Sequence, residues 1–208
     1  TSNQWVRGVW VTGTQATGDR VIYLVNSNYK DVERKGVIRY TLGGAATATG
    51  LGEQYVARAY FSYYPYDIAF DSAGNCYVSH YRANPNIIAP LAKFAPSTTL
   101  PITTPVWEAS RTYTYPEGHD ICEERGWVAY GHYSDGNVYF FSMADGSFIQ
   151  NFKSGSRIRD IAFDAAGNVY TVDNTVERLR VWSPPDGPNS KDITTATFTI
   201  TKNSGGPT

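Results

Sequence analysis

Residues 67–78 read Asp-Ile-Ala-Phe-Asp-Ser-Ala-Gly-Asn-Cys-Tyr-Val, and residues 160–171 read Asp-Ile-Ala-Phe-Asp-Ala-Ala-Gly-Asn-Val-Tyr-Thr. Nine of the twelve positions are identical at a distance of 93 residues, so one structural unit is used more than once. The unit is a short apolar strand, a tight turn, and a return strand. Gly and Asn accept the positive φ that such turns demand, which makes the Ala-Gly-Asn segment hairpin chemistry. A hairpin cannot bury its own apolar face, so the copies must pack on one another. An all-β propeller is the architecture this predicts.

Two further copies follow from the template. Residues 118–130 keep an Asp-Ile pair at Asp120 and Ile121, an acidic turn and Gly126 before an apolar strand resumes. Upstream, residues 19–26 match a second strand, with residues 6–11 as its first. Val32-Glu33-Arg34 followed by 37–40 echoes Val176-Glu177-Arg178 followed by 179–182, which supplies a third strand. Fourth strands are expected at 53–58, 105–108, 147–152 and 196–201. Four strands per unit at this spacing is the blade pattern. The reading is about four blades, at 5–58, 64–109, 117–152 and 157–201, in a propeller spanning 1–202, with a linker-like tail at 203–208.

Composition agrees. The chain of 208 residues has 19 Gly, 11 Pro and 16 Tyr, and no stretch carries apolar residues at helical spacing over three turns. A net charge of −1 without a basic run lacks the electrostatic footprint of a nucleic-acid binder. No apolar stretch is long enough to span a membrane as a helix. A single Met, an opening at Thr1, and abundant Thr, Tyr, Asn and Gly fit a mature extracellular or cell-surface protein. Cys76 and Cys122 fall where the template has small apolar residues. Buried free thiols and an inter-blade disulfide both satisfy that placement.

The run from Asp160 to Asn174, followed by Arg178-Leu179-Arg180-Val181-Trp182, resembles the NHL-repeat propellers and their gluconolactonase-like relatives, as well as blades of secreted bacterial repeat proteins. The resemblance is good in blades two and four, partial in three and faint in one. It implies a propeller, and in the lactonases a divalent metal held by Glu, Asn and Asp from separate blades. No Glu stands in the matching position here. Those families close with six or seven blades, so a chain with room for four is a closed small ring, part of a larger ring, or a fragment.

Two sets of residues are candidates for function. The leading acids Asp67, Asp120 and Asp160 are expected beside the residues that end the second strands, Asn26, His80, His132 and Asp173. Together Asp67, His80, Asp120, His132, Asp160 and Asp173 are a candidate divalent-cation site, and no other cofactor is expected. The plainer role for both groups is capping turns and satisfying backbone donors between blades. The second set is aromatic: Tyr63, Tyr64, Tyr66, Tyr113 and Tyr115 in the connections into blades two and three, with Tyr29 and Tyr81 in the long loops beside them. Tyr offers a rigid apolar face with a polar end, suited to interfaces and to sugars. Glu117, Glu123 and Glu124 read as a solvated acidic turn. No nucleophile elbow or phosphate loop is present. The function expected is a non-catalytic module binding a protein or glycan. A metal-dependent hydrolase or lactonase and a structural subunit of a homo-oligomer are the alternatives.

Overall fold

The computed structural model describes residues 5–28, 35–48, 50, 52–61, 64–81, 89–110 and 115–183, and the backbone of 194–198. They form four sheets of four antiparallel strands, each in chain order. Blade 1 holds β1 (Val6–Thr12), β2 (Arg20–Asn26), β3 (Gly36–Gly43) and β4 (Glu53–Val56). Blade 2 holds β5 (Tyr64–Phe70), β6 (Cys76–Tyr81), β7 (Leu91–Phe94) and β8 (Trp107–Glu108). Blade 3 holds β9 (Pro116–Cys122), β10 (Trp127–His132), β11 (Asn137–Ser142) and β12 (Phe148–Lys153). Blade 4 holds β13 (Ile158–Phe163), β14 (Val169–Asp173), β15 (Arg178–Ser183) and β16 (Thr194–Phe198). Helix among the described residues is confined to two 3₁₀ turns, Arg58–Tyr60 and Glu123–Arg125. The expected all-β architecture of four-stranded blades is what the chain adopts.

The reason for the repeat is visible at the β5–β6 and β13–β14 turns. Asp71 accepts from the Asn75 backbone N–H (2.8 Å), the Asn75 amide (2.8 Å) and the Tyr77 hydroxyl (3.0 Å). Asp164 repeats this with Asn168 (2.9 and 2.7 Å) and Tyr170 (3.2 Å). Gly74 and Gly167 sit at φ 81° and 83°, a conformation a side chain resists. The shared Asp, Gly, Asn and Tyr of the template therefore each have a job in closing the turn. Hydrogen bonds hold both Asp carboxyls below the ordinary range, against the opposing effect of burial.

The inner strands β1, β5, β9 and β13 touch in that order. Three apolar clusters fill the junctions between them. Val25, Val37, Phe61, Ile68 and Phe94 join blades 1 and 2. Tyr77, Leu91, Val128, Tyr130 and Phe141 join blades 2 and 3. Ala129, Phe140, Ile158, Ile161 and Trp182 join blades 3 and 4. Fully burying one such side chain contributes roughly 1.5–3 kcal/mol. Both cysteines are free, Cys76 in the first cluster and Cys122 in the third. Of the two options read from sequence, the buried thiol is the one observed.

Candidate functional site

Strand pairing shows which residues are equivalent around the axis. Asn26, His80, His132 and Asp173 lie opposite Val6, Pro65, Pro116 and Ile158, each beside a register shift. Sequence register had grouped these four, and pairing agrees. The next two positions along the inner strands are then Arg7 and Gly8, Tyr66 and Asp67, Glu117 and Gly118, Arg159 and Asp160. The leading position thus alternates Gly, Asp, Gly, Asp. Gly118 is the structural counterpart of Asp67, and Asp120 is not. The bulge before this position is common to all four blades. In blade 3 the Asp-Ile pair stands two residues further along the strand, with Asp120 opposite Ala129, so matching that pair to the template misaligned the blade.

The four strand-ending residues are buried and turned to local tasks. Asp173 accepts from the backbone N–H groups of Ser156 (2.8 Å), Arg157 (3.4 Å) and Thr175 (2.9 Å), and from Arg180 Nη1 (3.2 Å). Burial pushes its carboxyl up, but these donors outweigh burial and hold it below the ordinary range. His132 Nδ1 accepts from the Asp135 N–H (3.1 Å), and Asn26 Oδ1 from the Asn28 N–H (3.0 Å). His80 is packed on the rings of Tyr60 and Phe61, and among the described residues neither ring nitrogen has a hydrogen-bond partner. Burial drives its pKa down to about 3.

The leading acids work between blades. Asp67 accepts from Ile68 N–H (2.9 Å) and from His119 N–H of blade 3 (3.0 Å). Asp120 accepts from Ile121 N–H (2.8 Å) and from Phe163 N–H of blade 4 (2.7 Å). Asp160 accepts from Ile161 N–H (2.9 Å). Burial, and then neighbouring carboxylates, push Asp160 up to about 6; burial does the same to Asp67. Of the six residues considered as cation ligands, His132 and Asp173 cap turns, His80 packs among rings, Asp120 bridges blades 3 and 4, and Asp67 and Asp160 reach the channel. Among the described residues no group of three His, Cys, Asp or Glu converges as a metal site would.

What converges instead is the paired positions just described. Arg7, Tyr66, Asp67, Glu117, Gly118, Arg159 and Asp160 line a cavity of about 250 Å³ at the mouth of the channel. Glu117 sits between two guanidinium groups, 3.2 Å from Arg159 Nη1 and 3.8 Å from Arg7 Nη1. It is buried, where the sequence suggested a solvated turn. Burial raises its carboxyl even against the two arginines. Arg7 lies 4.6 Å over the Tyr66 ring, and Arg159 4.4 Å over the Tyr133 ring.

A row of rings borders this mouth. Trp5, Tyr64, Tyr81, Tyr115 and Tyr133 follow one another at centroid distances of 6.4, 5.8, 4.6 and 6.5 Å. Tyr115 is 38% exposed, while Tyr64, Tyr66, Tyr81 and Tyr133 are half-buried. Tyr60 and Phe61, in the same aromatic-rich connection, are buried instead. Tyr29, Tyr63 and Tyr113 lie outside the described residues. Sequence reasoning missed Arg7 and Arg159 as site residues. Their signal was present, since each directly precedes the leading position of its blade.

No protein-family model and no curated relative matches this sequence. Solved structures do. The computationally designed protein Ika4 aligns with a TM-score of 0.57 at 7% identity, over 88% of this chain and 93% of that one. A chain from a nidogen/laminin complex gives 0.58 at 13%, over 92% of this chain and 64% of that one. A chain from a mitotic checkpoint complex gives 0.59 at 14%, over 88% and 51%. The fold is a β-propeller. At these identities the likeness concerns fold alone, and this chain spans about half to two thirds of the two natural chains.

Proposed function

We propose that this propeller is a non-catalytic binding module of the extracellular space or cell surface, recognising a glycan or a protein at the channel mouth. The observation that carries the reading is the pairing of a small mixed-charge cavity with a row of tyrosines along its edge. Guanidinium and carboxylate groups together supply donors and acceptors for a polyhydroxylated ring, and the tyrosines supply stacking faces. Rings held on strands, as Tyr64, Tyr66 and Tyr81 are, or on residues directly adjoining them, lose little freedom on binding, which favours affinity. The resemblance of blades two and four to NHL repeats fits this use. A protein ligand is the second reading, favoured because Tyr and Arg are the residue types enriched where proteins meet. In this account the acids bind and the reading needs no cofactor.

A glycan array probed with the wild-type chain and with the Arg159→Ala/Tyr115→Ala variant tests it. Binding to a defined class of glycans, lost in the variant while its circular dichroism is unchanged, is expected. Equal binding by both proteins would remove the mouth from the account. Absence of any array signal would leave the protein reading in place of the glycan one.

A further inference from the structure

Among the described residues, three junctions between blades are packed, and the fourth is not. The contacts that join β1 to β5, β5 to β9 and β9 to β13 have no counterpart of similar extent between β13 and β1. No apolar cluster among the described residues joins blade 4 to blade 1. The face of blade 1 turned away from blade 2 leaves Val9 58% and Val11 50% exposed, and the face of blade 4 turned away from blade 3 leaves Val172 43% exposed.

Register says what belongs there. Because the leading position alternates Gly, Asp, Gly, Asp, a junction of blade 4 with a blade 1 would be of the same type as the junction of blade 2 with blade 3. In that packed junction Asp67 of blade 2 takes the His119 N–H of blade 3, and the His119 ring lies 3.1 Å from Ser79 Oγ. The counterparts of Asp67, Ser79 and His119 are Asp160, Val172 and Val9. The polar pair Ser79–His119 is thus replaced by the apolar pair Val172–Val9, both members changing together. Behind them, Leu91 of blade 2 corresponds to Leu179, and Val128 and Tyr130 of blade 3 correspond to Ile22 and Leu24. Asp160 Oδ2, whose equivalent on Asp67 accepts the inter-blade bond, has no such partner among the described residues.

We infer that blade 4 docks head-to-tail on blade 1 of a second copy of this chain. Val172 packs on the partner's Val9, and Asp160 accepts that residue's N–H. Among the described residues both faces are uncovered and β13 and β1 of one chain do not pack together, while their registers match those of the packed blade 2–blade 3 junction, so the complementary face comes from another copy. Two chains make this contact twice and leave neither face exposed, a closed arrangement. The inference is independent of what the mouth binds.

The test combines solution mass with a directed cross-link. Sedimentation at micromolar concentration should give twice the chain mass of 23.0 kDa, and Val9→Arg should return the single-chain mass with its β-sheet dichroism intact. The Val9→Cys/Val172→Cys variant, oxidised, should run as a covalent dimer on a non-reducing gel. A single-chain mass for the wild type would overturn the proposal. So would a disulfide formed within one chain, which would mean that blade 1 closes on its own blade 4.

Discussion

The two ends of the inner hairpins are built on opposite plans. At the turn end, blades 2 and 4 carry the same side chains in the same bonds: Asp71 with Asn75 and Tyr77, Asp164 with Asn168 and Tyr170. At the mouth end, the equivalent position is Arg7, Tyr66, Glu117 or Arg159 depending on the blade. A requirement set by the fold applies to each copy and repeats the residue. A requirement set by a ligand applies once to the whole ring, and the copies diverge. The turn end therefore holds the structure, and the mouth is where recognition is expected.

The largest effect on stability should come from the turn end. Asp164→Ala removes the acceptor for Asn168 and Tyr170 and is expected to cost about 2–3 kcal/mol in urea unfolding, with binding by the folded protein unchanged. Asp71→Ala should cost a similar amount. If either weakened binding without affecting stability, the division between the two ends would fail.

Acid should separate the buried histidines from the mouth acids, because their contributions have opposite signs. His80 and His119 have pKa values pushed down to about 3 and about 4 by burial. The unfolded chain binds their protons first, so stability falls as pH drops below about 6.5. Asp67 and Asp160, raised to about 6, bind protons first in the folded state, and their contribution is lost as pH rises from about 4 to about 6. Asp160→Asn removes part of that opposing slope. Its melting temperature should fall more steeply than the wild type's between pH 6 and pH 4, and a shallower fall would contradict the assignment.

Smaller still are the effects expected at the mouth on stability. Arg159→Ala breaks a partly exposed pair with Glu117 and should cost about 1 kcal/mol or less, visible as a shift in urea midpoint. Tyr115→Ala, at an exposed ring, should stay within about 0.5 kcal/mol. Both should weaken ligand binding far more than they lower stability.

The division also explains what was legible in the sequence. Turn residues repeat, so the blades could be counted and all four fourth strands fell within two residues of their expected starts. β16 starts at Thr194, two residues before the expected 196, and β8 is only Trp107–Glu108. Blade 3 misled because its Asp120-Ile121 pair copies the template two residues beyond the leading place, which Gly118 holds. The mouth was legible only in part. Tyr66 and Asp67 stood out by type, but the position before the leading one reads Arg7, Tyr66, Glu117 and Arg159, and a position that varies between blades gives no full repeat to find. Burial of Glu117 between two arginines depends on three blades meeting, which no local pattern reports.

The most direct test of a ligand-binding mouth opposed to a structural turn end is hydroxyl-radical footprinting of the tyrosines, with and without a glycan that scores on the array. The account predicts protection at Tyr66, Tyr81, Tyr115 and Tyr133, with Tyr170 at the turn end oxidised at the same rate in both samples. Protection of Tyr170 with unchanged oxidation at the mouth would contradict it.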